Sequence, residues 1–549
     1  VEGYKIIFEG KEYGIGANES VKDFIQKNSL TKKIPAAAIL NGTMFRLDKT
    51  VQANSTLEIV DLDSPHGRKI YENSIIFLFL VAFHKLFSSR KVFIQHSIQH
   101  GIYVEVDEDE LQQAEIEKIS GEIMEMAKKK MPISRKTHDW HLYQSKLEAN
   151  DRTDLLRLFQ YSANSEFKVY ELEGFEEYFD LPIMPTTEHL EKFQLLKYQQ
   201  GLVIVLPSAD GKIPKFEDKP KLFNSFQEFR TWSRLLKIRT AGQLNDYIMN
   251  EEAADLIKVS EALHEKKIAN IADQITKQEH MPRLILIAGP SSSGKTTFSK
   301  RLGIQLQVNG YRPFTISMDN YFIDREKTPK DENGNYNFES IDAIDISLFM
   351  DQINKLLSGD EVEIPRFDFV TGKRKASNPA NRIRLKNDQF IIVEGIHGLN
   401  PKLTSRIDDK SKFKIYIAPL TQLNLHRHGR IPASDTRLLR RLVRDSLYRG
   451  YSASDTLKQW DSVREGEKQN IFPLQEEADV IFNSALFYEL SILKDQAKKE
   501  LLKVKKNDPS YIEAIRLIRF LSHFIRMDAD DVPTNSILKE FIGGSSFEY

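Results

Sequence analysis

The sequence predicts a multidomain chain that combines α/β and α+β units, and three observations carry that prediction. The chain has 549 residues, room for about three to four domains. Residues 284–310 read as strand, glycine loop and helix, and four more strand-like runs alternate with helical ones after them. Residues 1–63 carry two hairpin signals around one short helix. The expected divisions are 1–63, 64–245, a helical connector 246–281, a parallel-sheet unit 282–500 and a helical extension 501–549.

Composition excludes several classes. The 78 basic and 79 acidic residues leave a net charge of −1, so no global field favours a polyanion. There are no cysteines, which removes disulfides, cysteine metal sites and thiol nucleophiles together and fits a reducing cytoplasm. The longest apolar run, 75–83, is too short to span a bilayer and reads as a core helix. No signal-peptide pattern opens the chain, and Val1 in place of Met reads as a trimmed start. The expectation is a cytoplasmic protein with no membrane partner, and a homo-oligomer is among the assemblies it permits.

In residues 1–63, runs at 4–8 and 11–13 flank Glu9-Gly10, a hairpin turn. Ser20 is placed to cap a following helix. Runs at 37–40 and 43–45 flank Asn41-Gly42, the strongest short turn signal available. The run 56–60 closes as a strand. Two hairpins around one helix predict a β-grasp fold. The turn at Asn41-Gly42, the stretch 47–51 and the closing strand resemble the TGS domain of threonyl-tRNA synthetases. That resemblance implies an RNA or regulatory ligand module, with a fused packing module as the alternative.

The second stretch, 64–245, resembles the second, editing domain of the same synthetases through its glycine-aromatic-acid run 101–107 and a later strand at 193–197 followed by Gly201. The resemblance places the family's paired histidines at Leu78 and Ala82, and its Cys and His at Pro182 and Thr186. The editing chemistry is therefore expected to be lost. His96 and His100 have the spacing of two metal ligands on one helix face, but the segment reads as strand and loop with no third ligand, so they are read as surface or satisfied core histidines. Residues 226–281 carry a helical period through Leu244, Ile248, Ala253, Leu256 and Ile257.

The run 284–288 is apolar without alternation, as in a strand buried on both faces. Gly289-Pro290-Ser291-Ser292-Ser293-Gly294-Lys295-Thr296 follows and fits G-x-x-x-x-G-K-[ST]. Phe298, Leu302 and Leu306 then mark one face of a helix that stops at Gly310. This is the context in which loop N–H groups and a helix N-terminus cradle phosphates. Further strands are expected at 314–318, 390–393, 413–417 and 479–482. Asp319 and Glu394 follow two of them, at the strand ends where such sheets bind ligands.

Phosphoryl transfer needs charge neutralisation, positioning and a proton acceptor. Gly289, Ser291, Ser292, Ser293, Gly294 and Thr297 are read as the ATP cradle. Lys295 would hold the β/γ-phosphates and Thr296 would coordinate Mg²⁺. Asp319 would take the acceptor proton, and Glu394 would sit on the metal or its waters. Arg437, Arg440, Arg441, Arg444 and Arg449 lie on a helical stretch and form either an ion-paired helix or a lid over ATP. Residues 501–549 read as helical, with Ile512, Ile515, Leu517, Ile518 and Leu521 as a packing face, and Gly543-Gly544 as a flexible end without chemistry.

The P-loop, 317–322, 337–345, 364–369, 393–396 and 440–445 together resemble the uridine kinase and phosphoribulokinase family, closest to uridine/cytidine kinases. That resemblance implies an ATP- and Mg²⁺-dependent nucleoside kinase with Asp319 as catalytic base, Arg444 and Arg449 as lid arginines and Arg441 near ATP. It places Phe322, Glu339, Phe367, Phe369 and Arg374 in the acceptor pocket, with Phe369 stacked on a base. The family has tyrosines at Phe322 and Phe367, a base-reading histidine at Gly372, an aspartate at Glu339 and an arginine at Tyr451. Losing those hydroxyls and the imidazole removes partners for a pyrimidine. The implied acceptor is a nucleoside without assured pyrimidine specificity. A phospho-sugar acceptor is one alternative. A nucleotide-sensing RNA-binding protein, with tRNA as partner, is another.

Overall fold

The computed structural model describes residues 3–107, 109–162, 165–330, 334, 336–368, 371–386, 388–421 and 423–548. The N-terminal hairpin pairs Gly3–Phe8 with Lys11–Gly16, and the second pairs Pro35–Leu40 with Thr43–Phe45. Both turns use two left-handed residues, Glu9 and Gly10, then Asn41 and Gly42, which matches the twist of the strands they join. The closing strand Ser55–Asp61 lies between the hairpins, parallel to the first strand and antiparallel to the third. Ser20 caps the helix Val21–Lys27 by accepting from the Asp23 N–H, and Phe24 of that helix is fully buried on the sheet.

The next unit is built on the helix Pro65–Leu86. Its 75–83 run is buried on all sides, which explains an apolar run that needs no membrane. Among the described residues no helix is long and apolar enough to cross a membrane. A four-stranded antiparallel sheet runs Gln194–Tyr198, Gly201–Val205, Gly101–Val106, Val92–Ile98 in spatial order. Leu78 and Ala82 are fully buried in the helix and offer no ligand atoms. His96 lies on the strand Val92–Ile98, buried and stacked on Phe226 with ring centroids 3.4 Å apart. Burial holds its imidazole well below the ordinary range, as a neutral core ring. Among the described residues no group of three metal-ligating side chains forms.

The helical segment divides into Pro220–Leu235, Ala241–Met249 and Ala253–Thr276. The division expected at 245/246 cuts through the second of these. These helices are built into the packing of the C-terminal half: Phe229 stacks on Phe487 at 4.3 Å, and Ile268, Ile271 and Ile275 join the core behind the P-loop.

That core covers one face of a five-stranded parallel sheet. Its strands in chain order are β1 (Leu284–Ala288), β2 (Arg312–Ser317), β3 (Gln389–Glu394), β4 (Lys412–Ala418) and β5 (Val480–Asn483), and their spatial order is β2-β3-β1-β4-β5. All five fall on the apolar runs that predicted them. The P-loop leads from β1 into α1 (Lys295–Val308); later helices are α2 (Ala433–Tyr448) and α3 (Ala453–Asn470).

The C-terminal extension differs from its expected form in two ways. In the helix Tyr511–Ser522 the buried face is Ala514, Leu517, Phe520 and Leu521, while Ile512, Ile515 and Ile518 are only partly covered. The residues ahead of the terminal glycines are not a free end. Ser536, Ile537, Leu538 and Phe541 are fully buried, and Ile537 seats against Gly294 of the P-loop, because the sheet's outer core is incomplete without them.

Candidate active site

Backbone geometry makes the loop between β1 and α1 a phosphate cradle. Gly289 passes so close to β4 that a Cβ would stand 2.0 Å from the Ile417 carbonyl oxygen. Ser292 (φ 59°) and Gly294 (φ 85°) are left-handed, which turns successive N–H groups into the concavity. The Ser292 and Ser293 hydroxyls are buried with no hydrogen-bond partner among the described residues. Lys295 Nζ donates to the Gly289 and Pro290 carbonyls at 3.0 and 3.1 Å, laying its charge along the loop. These unsatisfied donors and this cation fit a polyphosphate.

Carboxylates face the loop from the strand ends. Asp319 follows β2 in a short 3₁₀ turn and Glu394 ends β3. Asp319 keeps solvent exposure although protein crowds around it. That crowding raises its carboxyl pKa, against the pull of Lys295, Arg449 and Arg444. Glu394 is 9% exposed, and burial, helped by the nearby negative charge of Asp319, pushes its carboxyl up to about 7. Glu339 is also pushed up to about 7, by burial and then by the charge of Glu467, and is pulled down by Arg441 and Lys295. The mutual influence of Asp319, Glu394, Glu339, Lys295, Arg441, Arg444 and Arg449 shows that they stand near one another beside the loop.

The arginines of α2 divide by role. Arg440 is fully buried; its Nε meets Glu489 at 2.6 Å and its Nη2 meets the Ser484 carbonyl at 2.7 Å. It holds the fold. Arg437 pairs with fully buried Glu467 and reaches the Ser291 carbonyl at 3.3 Å, bracing the loop. Arg441 donates to Ser291 Oγ at 3.0 Å, and Arg441, Arg444 and Arg449 all converge on Asp445. Asp435, the other acid on the helix, pairs instead with Arg516 at 2.7 Å. Three guanidiniums share the one Asp445 carboxylate, so that carboxylate alone does not balance their charge.

The residues expected to face an acceptor combine an aromatic pair with charged side chains. Phe322 is buried, with its ring centroid 5.7 Å from that of Phe367. Arg374 is ion-paired with Asp345 at 3.2 Å. Gly372 (φ 69°) underlies Arg325, whose Nε would stand 2.7 Å from a Cβ there. Phe369, the expected stacking ring, lies outside the described residues. The loop is braced by two residues that no motif marked. Glu467 Oε1 accepts from the Ser291 N–H at 2.9 Å, and Glu540 Oε2 accepts from the Thr297 N–H at 3.1 Å and from its hydroxyl at 2.7 Å. Their distance along the chain, 170 residues and more from the loop, hid them. For Glu540, a carboxylate with no opposite charge three or four residues away was the available signal; Glu467, with Arg464 three residues before it, gave none.

Residues 284–486 match the model of the Phosphoribulokinase / Uridine kinase family. A uridine kinase of Staphylococcus aureus is 32% identical over 199 residues, spanning 36% of this chain and 86% of that protein. A uridine kinase of Halobacterium salinarum is 28% identical over 216 residues, spanning 39% of this chain and 86% of the relative. Among solved structures, D-glycerate 3-kinase from Cryptococcus neoformans aligns at 16% identity over 53% of this chain and 88% of its own, with a TM-score of 0.20, a likeness too slight to carry an argument. With a relative at this identity matched over most of its length, the chain belongs, through its parallel-sheet unit, to the phosphoribulokinase and uridine kinase family.

Proposed function

We propose that the chain is an ATP- and Mg²⁺-dependent kinase that phosphorylates a hydroxyl of a nucleoside or a related sugar-bearing small molecule. The observation that carries this is the convergence of Asp319, Glu394, Lys295 and the α2 arginines on one phosphate-cradling loop. Thr296 and Glu394 would hold the metal ion, which when bound neutralises phosphate charge. Asp319 accepts the proton of the attacking hydroxyl, and the burial that raises its pKa makes its carboxylate a stronger base than a free one. Lys295, Arg441, Arg444 and Arg449 balance the charge on the transferring group. The apolar pair Phe322 and Phe367, with Arg325 over Gly372, gives an acceptor wall without the polar readout of a pyrimidine. A phosphorylated sugar is the acceptor alternative. The test is acceptor-dependent ADP release over a panel of nucleosides and phospho-sugars. Turnover with one class supports the reading, and none with any of them refutes it. Asp319→Asn is expected to lower kcat by about 10²–10⁴ while ADP binding stays within about threefold. Full retained activity would remove Asp319 as base.

A second reading rests on a cavity of about 990 Å³ where the front units meet the C-terminal helices. Arg135, Lys168, Lys498 and Arg519 line it beside Phe45, together with the acids Glu166, Asp180 and Asp495, and basic side chains outnumber acidic ones, as a polyanionic ligand would require. This supports RNA binding by the TGS-like and editing-like front half. Retention of tRNA that falls steeply with salt, and is lost in Arg135→Glu/Lys498→Glu, is the expected result. Absence of retention at low salt would end this reading.

A further inference from the structure

The C-terminal segment brings a carboxylate to the nucleotide cradle. Glu540 Oε2 takes both polar hydrogens that Thr297 offers, the backbone N–H at 3.1 Å and the hydroxyl at 2.7 Å. At the start of α1, the N–H groups of the first turn have no partner of their own inside the helix, since the ladder begins with the Phe298 N–H donating to the Gly294 carbonyl. They are the donors that a phosphate at this loop uses. One N–H cannot serve a carboxylate and a phosphate oxygen at full strength, and two anions brought to the same donor repel each other.

We infer that Glu540 acts as an internal competitor for the nucleotide's phosphates, setting the affinity of the donor site by occupying the Thr297 donors until a phosphate displaces it. The inference rests on reading the loop 289–297 as the donor site. The segment around Glu540 is firmly held. Ser536 donates to Glu261 Oε1 at 2.5 Å, Ile537 packs on Gly294, and Phe541 lies under the Arg440 guanidinium at 5.1 Å. With these anchors fully buried, displacement is a swing of one side chain about its own bonds. The negative charge of Glu540 also reaches Glu394, so its departure lowers the density of negative charge where phosphates must enter. A tail with only a packing role would not need an acidic side chain pointed at helix donors in a site that receives polyanions.

The test compares wild-type protein with Glu540→Gln and Glu540→Asp by equilibrium binding of ADP, ATP and adenosine. Gln has the same shape without the charge; Asp keeps the charge on a shorter arm. Both variants are expected to bind ADP and ATP about tenfold more tightly than wild type, the difference made by one competing charged hydrogen bond. Adenosine, which has no phosphate, is expected to bind all three proteins alike. A merely structural role for Glu540 would move adenosine with the nucleotides or weaken all three. Thermal midpoints within about 2 °C of wild type would show the fold is kept, as expected for removal of one side-chain contact in a chain this large. Unchanged or weaker ADP binding in both variants would overturn the inference and leave the donor-site reading standing. Failure of every protein, wild type included, to bind ADP or ATP would overturn the donor-site reading and this inference with it.

Discussion

Glu339 offers a prediction that can be read without knowing the acceptor. Its carboxyl is pushed from an ordinary 4.5 to about 7, first by burial and then by the charge of Glu467. Its Oε2 is buried with no hydrogen-bond partner among the described residues, and its Cβ packs against Gly466, where an added Cβ would stand 2.4 Å away. The folded protein therefore keeps a proton that the unfolded chain releases between pH 4.5 and 7. In that window the native state binds more protons, so stability falls as pH rises, and the loss is complete above about pH 7. At about 1.4 kcal/mol per tenfold, the gap caps the effect at about 3 kcal/mol. Glu339→Gln removes the titrating group and keeps its shape. Its advantage over wild type is expected to be absent at pH 4, to grow through pH 5 to 7 and to level off by pH 8. The assay is urea unfolding followed by Trp460, whose ring lies 5.2 Å from the Arg437 guanidinium, in a background with Trp140 and Trp232 replaced by Phe. Adding Glu467→Gln should lower the midpoint of the effect, since that charge is the second cause of the shift. Parallel stability curves for wild type and Glu339→Gln across pH 4 to 9 would refute the reasoning.

Two further outcomes separate structural from functional residues. Arg440→Ala strands Glu489, itself 2% exposed, and is expected to cost about 3–5 kcal/mol of stability in the same unfolding assay. Arg444→Ala, at the edge of the cleft, is expected to lower kcat by about 10²–10³ with a stability change below about 1 kcal/mol. Gly372→His by itself is expected to disturb the acceptor loop, because its Cβ would meet Arg325 and its backbone is left-handed. With Arg325→Gly in the same chain, which removes the Arg325 Cβ that would stand 2.8 Å away as well as the guanidinium, the imidazole has room, and uridine turnover measured by ADP release should rise above that of either single variant.

The loop proposed as the donor half of the site was legible in the sequence because its geometry is local. A cradle for phosphate needs a tight loop between a strand and a helix, so Gly289, Gly294 and Lys295 stand within seven residues, and all five strands of the sheet announced themselves as apolar runs. Asp319 and Glu394 could be placed because a parallel sheet brings its strand ends to one edge whatever the loops between them do. The sorting of the arginines was not legible: helical spacing puts Arg437, Arg441 and Arg444 on one face, but only the burial of Glu467 and Glu489 decides that Arg437 braces the loop and Arg440 holds the core. The C-terminal segment is the clearest case. Two glycines beside a short helical run read as a loose end, since nothing in local pattern shows what a side chain packs against. Tertiary structure alone brings Ile537 to Gly294 and Glu540 to Thr297, because the sheet's outer core is closed by residues from the far end of the chain. Sequence by itself determined which residues form the glycine loop at the end of β1; packing between distant segments decided which groups stand around them and with what charge.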